Sequence, residues 1–309
     1  MNNKLPAFLL PGNTIGIVAP ARKVKPEDIQ DCIETLQHWG YRVKVGEHIY
    51  GEHFQMSGTD SERAIDLENM ILDNEVKAII CAKGGYGSIR MVDQVNWEKF
   101  LDNPKWFIGF SDPTVIHGLI NNTNCASIHG PMAVNFTIDP AGFYAVTSET
   151  LQSLKDLLEG RKYTYNWQTD FFKPGSVKGQ LIGGNISVLH SMGGTNFFPN
   201  TGGSILFLED LDEHHYHLDR MMQWMKKSGL LSNLAGLVVG GLDKMKNLDP
   251  ANSFGMTAKE IVMDAVIGQN YPVGFDFQAG HSRVNMAMLF GAWHRLEVDD
   301  EGRSILKLS

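Results

Sequence analysis

Cysteine is scarce: three in 309 residues, at Cys32, Cys81 and Cys125. Three thiols at wide spacing give no disulfide framework and no Cys-x-x-Cys metal knuckle, so they are expected as buried free thiols in a reducing compartment. Basic charge is also short, with 27 Lys and Arg against 35 Asp and Glu and a formal net charge of −8. A surface that grips nucleic-acid phosphates wants the opposite balance, so no nucleic-acid partner is expected. No apolar run approaches the roughly 18 residues a membrane span needs. The apolar stretch near the N-terminus is too short for a secretory h-region and is interrupted by Pro6 and Pro11. The expected location is therefore the cytoplasm, with no membrane partner. Walker and Gly-x-Gly-x-x-Gly phosphate fingerprints are missing too, as are repeats and low-complexity tracts.

What remains is globular. Hydrophobic residues make up 43% and charged residues 20%, close to the soluble average. A chain of 309 residues predicts about two domains. Apolar runs at Ile15–Ala19, Ala78–Ala82 and Trp106–Phe110 read as strands, with an alternating one at Tyr41–Val45. Between them lie helical patterns. One follows Pro26, with Ile29, Ile33, Leu36 and Trp39 on one face and Gly40 at its end. Another runs to Leu72 from a capping box of Thr59 and Glu62. Alternating strands and helices predict a mostly parallel sheet covered on both faces. After a helix at Ser148–Glu159 the rhythm changes. Strands are expected at Ile205–Leu208, Leu237–Val239, Arg295–Val298 and Ser304–Leu308, with glycine turns at Gly183-Gly184, Gly202-Gly203 and Gly240-Gly241. Thr257 and Glu260 cap a helix to about Ile267. The expected fold class is α/β: residues 1–165 form an N-terminal, mostly parallel α/β sandwich domain. Residues 166–309 form a smaller, β-rich α+β domain.

Four segments could carry chemistry. In Gly109-Phe110-Ser111-Asp112-Pro113 a buried strand ends at a serine and a helix pattern begins. A hydroxyl there projects over the carboxyl edge of the sheet, where open α/β sheets bind ligands. The following amide sits at a helix N-terminus, ready for an oxyanion. The alternative is a serine or aspartate that only caps the helix. Lys83-Gly84-Gly85-Tyr86-Gly87 follows another strand and lets backbone approach a ligand, whether as a phosphate cradle, a second oxyanion donor or simply a tight turn. Glu209 and Asp210 close an apolar strand, where a carboxylate can orient a histidine or merely face water. His281, between Gly280 and Ser282 in a loop, is free to act as a base or as a structural donor. His214, His215 and His217 lack metal-site spacing, and no metal is expected. Met221, Met222 and Met225 read as core packing on the helix that follows.

Taken together and in order, these segments resemble the LD-carboxypeptidases, a serine peptidase family that includes muramoyltetrapeptide carboxypeptidases and the microcin C immunity peptidase. The resemblance covers nearly the whole chain: GNTIGIVAPA at 12–21, KGGYGSIRMV at 83–92, GFSD at 109–112, HGPM at 129–132, GQLIGGN at 179–185, LFLEDLDEHHYHLDRM at 206–221 and FDFQAGH at 275–281. It implies Ser111 as nucleophile, Glu209 rather than Asp210 or Glu213 as the residue that orients the histidine, and His281 as base. It implies an oxyanion hole from the amides of Asp112 and Gly85. It also implies a homodimer, no cofactor, and a triad whose serine comes from the first domain and whose other members come from the second. The implied reaction is hydrolysis of the L,D-peptide bond that holds the terminal D-alanine of murein tetrapeptides. The free carboxylate of that D-alanine calls for a cation, for which Arg220 and Arg283 are candidates. An alternative in the same family is cleavage of aminoacyl-nucleotide antibiotics; the resemblance implies a longer specificity loop for that substrate, and no long insertion is evident. An alternative of another class is a catalytically silent small-ligand-binding protein, which would be expected to have lost a triad member.

Overall fold

A computed structural model describes residues 4–137, 145–249 and 251–309. The chain divides into two compact units, Met1–Lys162 with Arg283–Gly291, and Tyr163–Ser282 with Ala292–Ser309.

In the first unit, β1 (Thr14–Val18), β2 (Arg42–Val45), β3 (Val76–Cys81), β4 (Trp106–Gly109) and β5 (Ser127–His129) pair in parallel. Residues Met288–Phe290 add an antiparallel strand beyond β5, so that β1 sits between β2 and β3. Strands β1, β4 and β5 are buried throughout, as a parallel sheet covered on two faces requires. Helix α1 (Pro26–His38) buries Ile29, Cys32 and Leu36, and α2 (Asp60–Leu72) starts at the expected capping box, with the Thr59 and Glu62 side chains each bonding the other's backbone. The short α3 (Ser88–Met91), α4 (Trp97–Asp102), α5 (Thr114–Asn122) and α6 (Ser148–Leu158) complete the unit. All three cysteines are buried free thiols.

The second unit holds an eight-stranded mixed sheet. Its elements in chain order are β6 (Thr164–Gln168), β7 (Phe172–Lys173), β8 (Gly175–Asn185), α7 (Ile186–Ser191), β9 (Ile205–Leu211), α8 (His215–Lys227), β10 (Gly236–Asp243), α9 (Ala258–Ala265) and β11 (Val273–Gly274). β12 (Met288–Phe290) is the strand lent to the first sheet, after which β13 (Trp293–Val298) and β14 (Arg303–Leu308) return to the second. Strands β8 to β11 are parallel neighbours, and the β6–β14–β13–β8 side is antiparallel. Met221, Met222 and Met225 are buried on α8, as expected of core packing. Among the described residues no helix is long and apolar enough to cross a membrane.

Three local expectations differ from the structure. Gly183 and Gly184 lie inside β8 opposite Phe207 and Leu208 instead of forming a turn. A Cβ on Gly183 would stand 2.0 Å from the Phe207 carbonyl oxygen, so glycine is there for close approach of strands. Gly240 and Gly241 likewise lie within β10, where a Cβ on Gly240 would come within 2.4 Å of the Ala279 carbonyl oxygen. The division near residue 165 takes no account of residues 283–291, which join the first unit through β12.

Candidate active site

In the first unit the chain leaves β4 through Ser111, whose φ of +65° puts a non-glycine residue in the left-handed region. That conformation costs roughly 1–3 kcal/mol and persists only where the surroundings enforce it. Here the enforcement is visible. The Gly109 carbonyl, at the end of β4, accepts from the Gly130 amide at 3.1 Å and from His117 Nε2 at 2.8 Å. The other nitrogen of His117 meets Ser127 Oγ at 2.8 Å, and burial pushes this imidazole down to about 4, so it is neutral and its two bonds are unambiguous. Beyond the corner, the Ser111 carbonyl accepts from the Thr114 amide and α5 begins.

The alternative role of Asp112, a side chain that only caps α5, is not what the structure has. Instead its buried carboxylate accepts from the Ser88 amide at 2.8 Å. Burial raises its pKa, while the Ser88 and Gly87 backbone donors and the charge of Arg63 pull the other way. Pro113 takes the cap position of α5 with no side-chain bond. The carboxylate thus ties the serine corner to the glycine turn after β3. Arg63, buried on α2, clamps the same turn from below: its guanidinium donates to the carbonyls of Gly87 and Pro20 and to Asp60. The turn approaches the serine closely. A Cβ on Gly84 would stand 3.1 Å from Ser111 Cβ and 3.3 Å from its Oγ. Gly85 has φ +104°, a conformation that glycine adopts without steric cost. The residues expected to supply two oxyanion amides, Asp112 and Gly85, therefore sit on two segments bound to each other.

In the second unit His281 Nδ1 donates to Glu209 Oε2 at 2.7 Å. Glu209 lies on β9, two residues before its end, so the strand runs further than the Ile205–Leu208 expected from the sequence. Successive strand residues face opposite ways, which separates the two neighbouring carboxylates. Glu209 faces His281, whereas Asp210 accepts from Asn185 Nδ2 and the Ser187 amide, both at 2.9 Å, at the start of α7. Glu213 instead meets His217 Nδ1 at 3.1 Å. Glu209 is fully buried, and its Oε1 has no hydrogen-bond partner among the described residues. Gly280 precedes the histidine with φ +120°, and a Cβ there would stand 2.9 Å from Glu209 Oε2, so only glycine lets the loop close onto the carboxylate.

Burial alone would pull the His281 pKa down. The Glu209 charge and hydrogen bond, with the charges of Asp210 and Asp243, outweigh it and leave a net rise above 6.5. Asp210 is pushed up to about 7 by burial and by the charge of Glu209. A buried carboxylate that holds one imidazole nitrogen fixes the tautomer, leaves the other nitrogen as acceptor and stabilises imidazolium. This second unit thus carries a base, and the first carries a hydroxyl beside rigid amides.

The other expected site residues fall elsewhere. Arg220 is exposed on α8 with its guanidinium 5.7 Å from the centre of the Tyr216 ring. Arg283 is exposed in the first unit, its carbonyl accepting from the Thr147 amide. His215 Nδ1 meets Asn247 Oδ1 at 3.1 Å. No group of three or more His, Cys, Asp or Glu among the described residues is placed to hold a metal. The sequence reading missed two buried residues that hold the serine corner and its neighbouring turn, Arg63 and His117. A buried arginine or histidine leaves no local signature, because its partners lie on other elements.

Comparison with known proteins agrees with these two halves. Residues 15–130 match the family described as the LD-carboxypeptidase N-terminal domain, and residues 178–296 match the LD-carboxypeptidase C-terminal domain. A probable murein peptide carboxypeptidase of Bacillus subtilis is 33% identical over 294 residues, covering 94% of this chain and 90% of the relative. The microcin C7 self-immunity protein of Escherichia coli is 24% identical, with 97% and 95% covered. The crystal structure of a muramoyltetrapeptide carboxypeptidase from Oxalobacter formigenes superposes with a TM-score of 0.86 at 26% identity, over 96% of this chain and 98% of that one.

Proposed function

Since this chain belongs to the LD-carboxypeptidase family and is a serine-type carboxypeptidase, we propose that it removes the terminal D-alanine from murein tetrapeptides. Ser111 Oγ attacks the carbonyl of the L,D-peptide bond. His281 takes the hydroxyl proton and returns it to the leaving amine of D-alanine, and Glu209 stabilises the imidazolium formed in between. The amides of Asp112 and Gly85 receive the oxyanion. Water then hydrolyses the acyl-enzyme, with His281 again as base, and the tripeptide leaves. The same reading has the protein working in the cytoplasm as a homodimer.

The observation that carries the proposal is the 2.7 Å bond between His281 Nδ1 and the buried Glu209 carboxylate, which prepares the imidazole to act as a base. The substrate assignment draws on the Bacillus and Oxalobacter relatives, whose names refer to murein peptides and muramoyltetrapeptide. Incubation of the protein with disaccharide-tetrapeptide, free tetrapeptide and an aminoacyl sulfamoyl adenosine tests it, with products read by mass spectrometry. D-alanine is expected from the tetrapeptides. Cleavage of the aminoacyl compound alone overturns the murein assignment and moves the chain to the antibiotic-cleaving branch.

The base must be neutral to accept a proton, and its pKa is raised above 6.5. Activity is therefore expected to fall as pH drops through a value above that of free imidazole. Asp243 contributes negative charge at His281, so Asp243→Asn lowers the histidine's pKa and moves the acid limb of kcat/KM to lower pH. A limb that stays in place contradicts the assignment of His281 as the titrating base. The profile of kcat/KM reports the free enzyme.

A further inference from the structure

We propose that Arg22, at the turn after β1, binds the free carboxylate of the leaving D-amino acid and so makes the enzyme an exopeptidase. The inference rests on the function proposed above and names the residue that reads the end of the substrate. Arg22 packs against the glycine turn that faces the nucleophile. Its amide lies 3.4 Å from the Gly84 carbonyl oxygen. A Cβ on Gly85 would stand 2.5 Å from Arg22 Cδ and 2.7 Å from Arg22 Nε, so the arginine side chain lies across Gly85 itself. Gly84, the residue before, is the one whose Cβ would meet Ser111 Cβ at 3.1 Å and Oγ at 3.3 Å. The serine hydroxyl and the guanidinium thus occupy neighbouring positions of one turn, a single residue apart. In the substrate, the terminal carboxylate is also a single residue beyond the scissile carbonyl, at about 3.8 Å per residue.

The position in the sheet supports the assignment. With β1 between β2 and β3, the connections leaving β1 and β3 diverge, and ligands of such sheets bind where the strand order reverses, outside the carboxyl ends. Arg22 and Gly84 follow those two strands. Charge accounting separates Arg22 from its neighbours. Lys23 pairs with Glu52, and Arg63 and Arg90 share Asp60. Arg22 is exposed and has no acidic partner among the described residues. A planar guanidinium of this kind matches a carboxylate with two parallel hydrogen bonds.

The test compares murein tetrapeptide ending in free D-alanine with the same peptide ending in D-alaninamide, on the full-length protein and on Arg22→Met, Arg22→Lys, Arg220→Met and Arg283→Met. The parent is expected to favour the free acid in kcat/KM by about 100-fold, the scale of a charged bidentate contact. Arg22→Met is expected to lose that preference through the acid substrate, while amide turnover changes by no more than about twofold. The amide rate also reports that the variant is folded. Arg22→Lys should recover part of the preference, since it keeps charge without the fork. The proposal is overturned if Arg22→Met keeps the preference, if acid and amide fall together, if the parent shows no preference, or if Arg220→Met or Arg283→Met abolishes it instead. A parent that releases product from neither peptide overturns the murein reading and this assignment with it; a parent that releases D-alanine while Arg22→Met behaves identically overturns this assignment alone.

Discussion

Ser111→Ala is expected to lower D-alanine release from murein tetrapeptide by about 10⁴-fold or more. The size follows from the chemistry. Without Oγ no acyl-enzyme forms, and His281 can only activate water against a carbonyl positioned for a different attacker. On the proposed mechanism, what survives is transition-state binding by the Asp112 and Gly85 amides. The fold should be unaffected. Ser111 already occupies a left-handed backbone at φ +65°, and alanine at that φ meets a similar cost. The corner is held by His117, Gly130 and the Asp112 carboxylate, not by the serine hydroxyl. Circular dichroism and thermal unfolding of the variant should match the parent. A variant that retains more than about a hundredth of the parent rate places the nucleophile elsewhere.

Glu209→Gln is expected to cost about 10³- to 10⁴-fold in kcat without loss of stability. The carboxylate accepts from His281 Nδ1 at 2.7 Å. A glutamine that turns its amide toward the ring favours the tautomer with the proton on the wrong nitrogen and removes the charge that stabilises imidazolium. Stability should move the other way or not at all. Glu209 is fully buried and its Oε1 is unpartnered among the described residues, so a neutral side chain of the same shape removes the cost of burying a charge. Activity that collapses while thermal stability holds distinguishes positioning from a structural role. Without the carboxylate the His281 pKa should also fall. An NMR titration of the imidazole checks this independently of turnover. Combined with Ser111→Ala, Glu209→Gln should cost little more than Ser111→Ala alone, because the residues act as a unit.

Features written in local chemistry were readable from the sequence. The Thr59–Glu62 and Thr257–Glu260 boxes start helices where the pattern puts them, since a cap involves only residues three apart. The buried strands of the first sheet announce themselves as apolar runs. Features that depend on partners far along the chain were not readable. β12 pairs Met288 with His129 and Phe290 with Ser127, and nothing near residue 288 signals that it leaves one sheet for another. Glycine carries the same local signal in a turn as in a strand pressed against another backbone, which is why Gly183 and Gly240 read as turns. The site divides along the same line. Ser111, Glu209 and His281 could be singled out as segments, and their roles came from family resemblance. The Asp112 side chain has the local signature of a cap for the helix beside it, yet it binds the Ser88 amide at the start of α3. Arg22 is one more exposed cation until the fold lays it across Gly85.

Active-site labelling tests Ser111 as the nucleophile without assuming a substrate. The protein would be treated with a fluorophosphonate probe, digested and mapped by mass spectrometry. A single adduct is expected on the peptide that carries Ser111, absent from Ser111→Ala and formed far more slowly in His281→Ala. An adduct on another serine, or no adduct from a preparation that releases D-alanine, would contradict it.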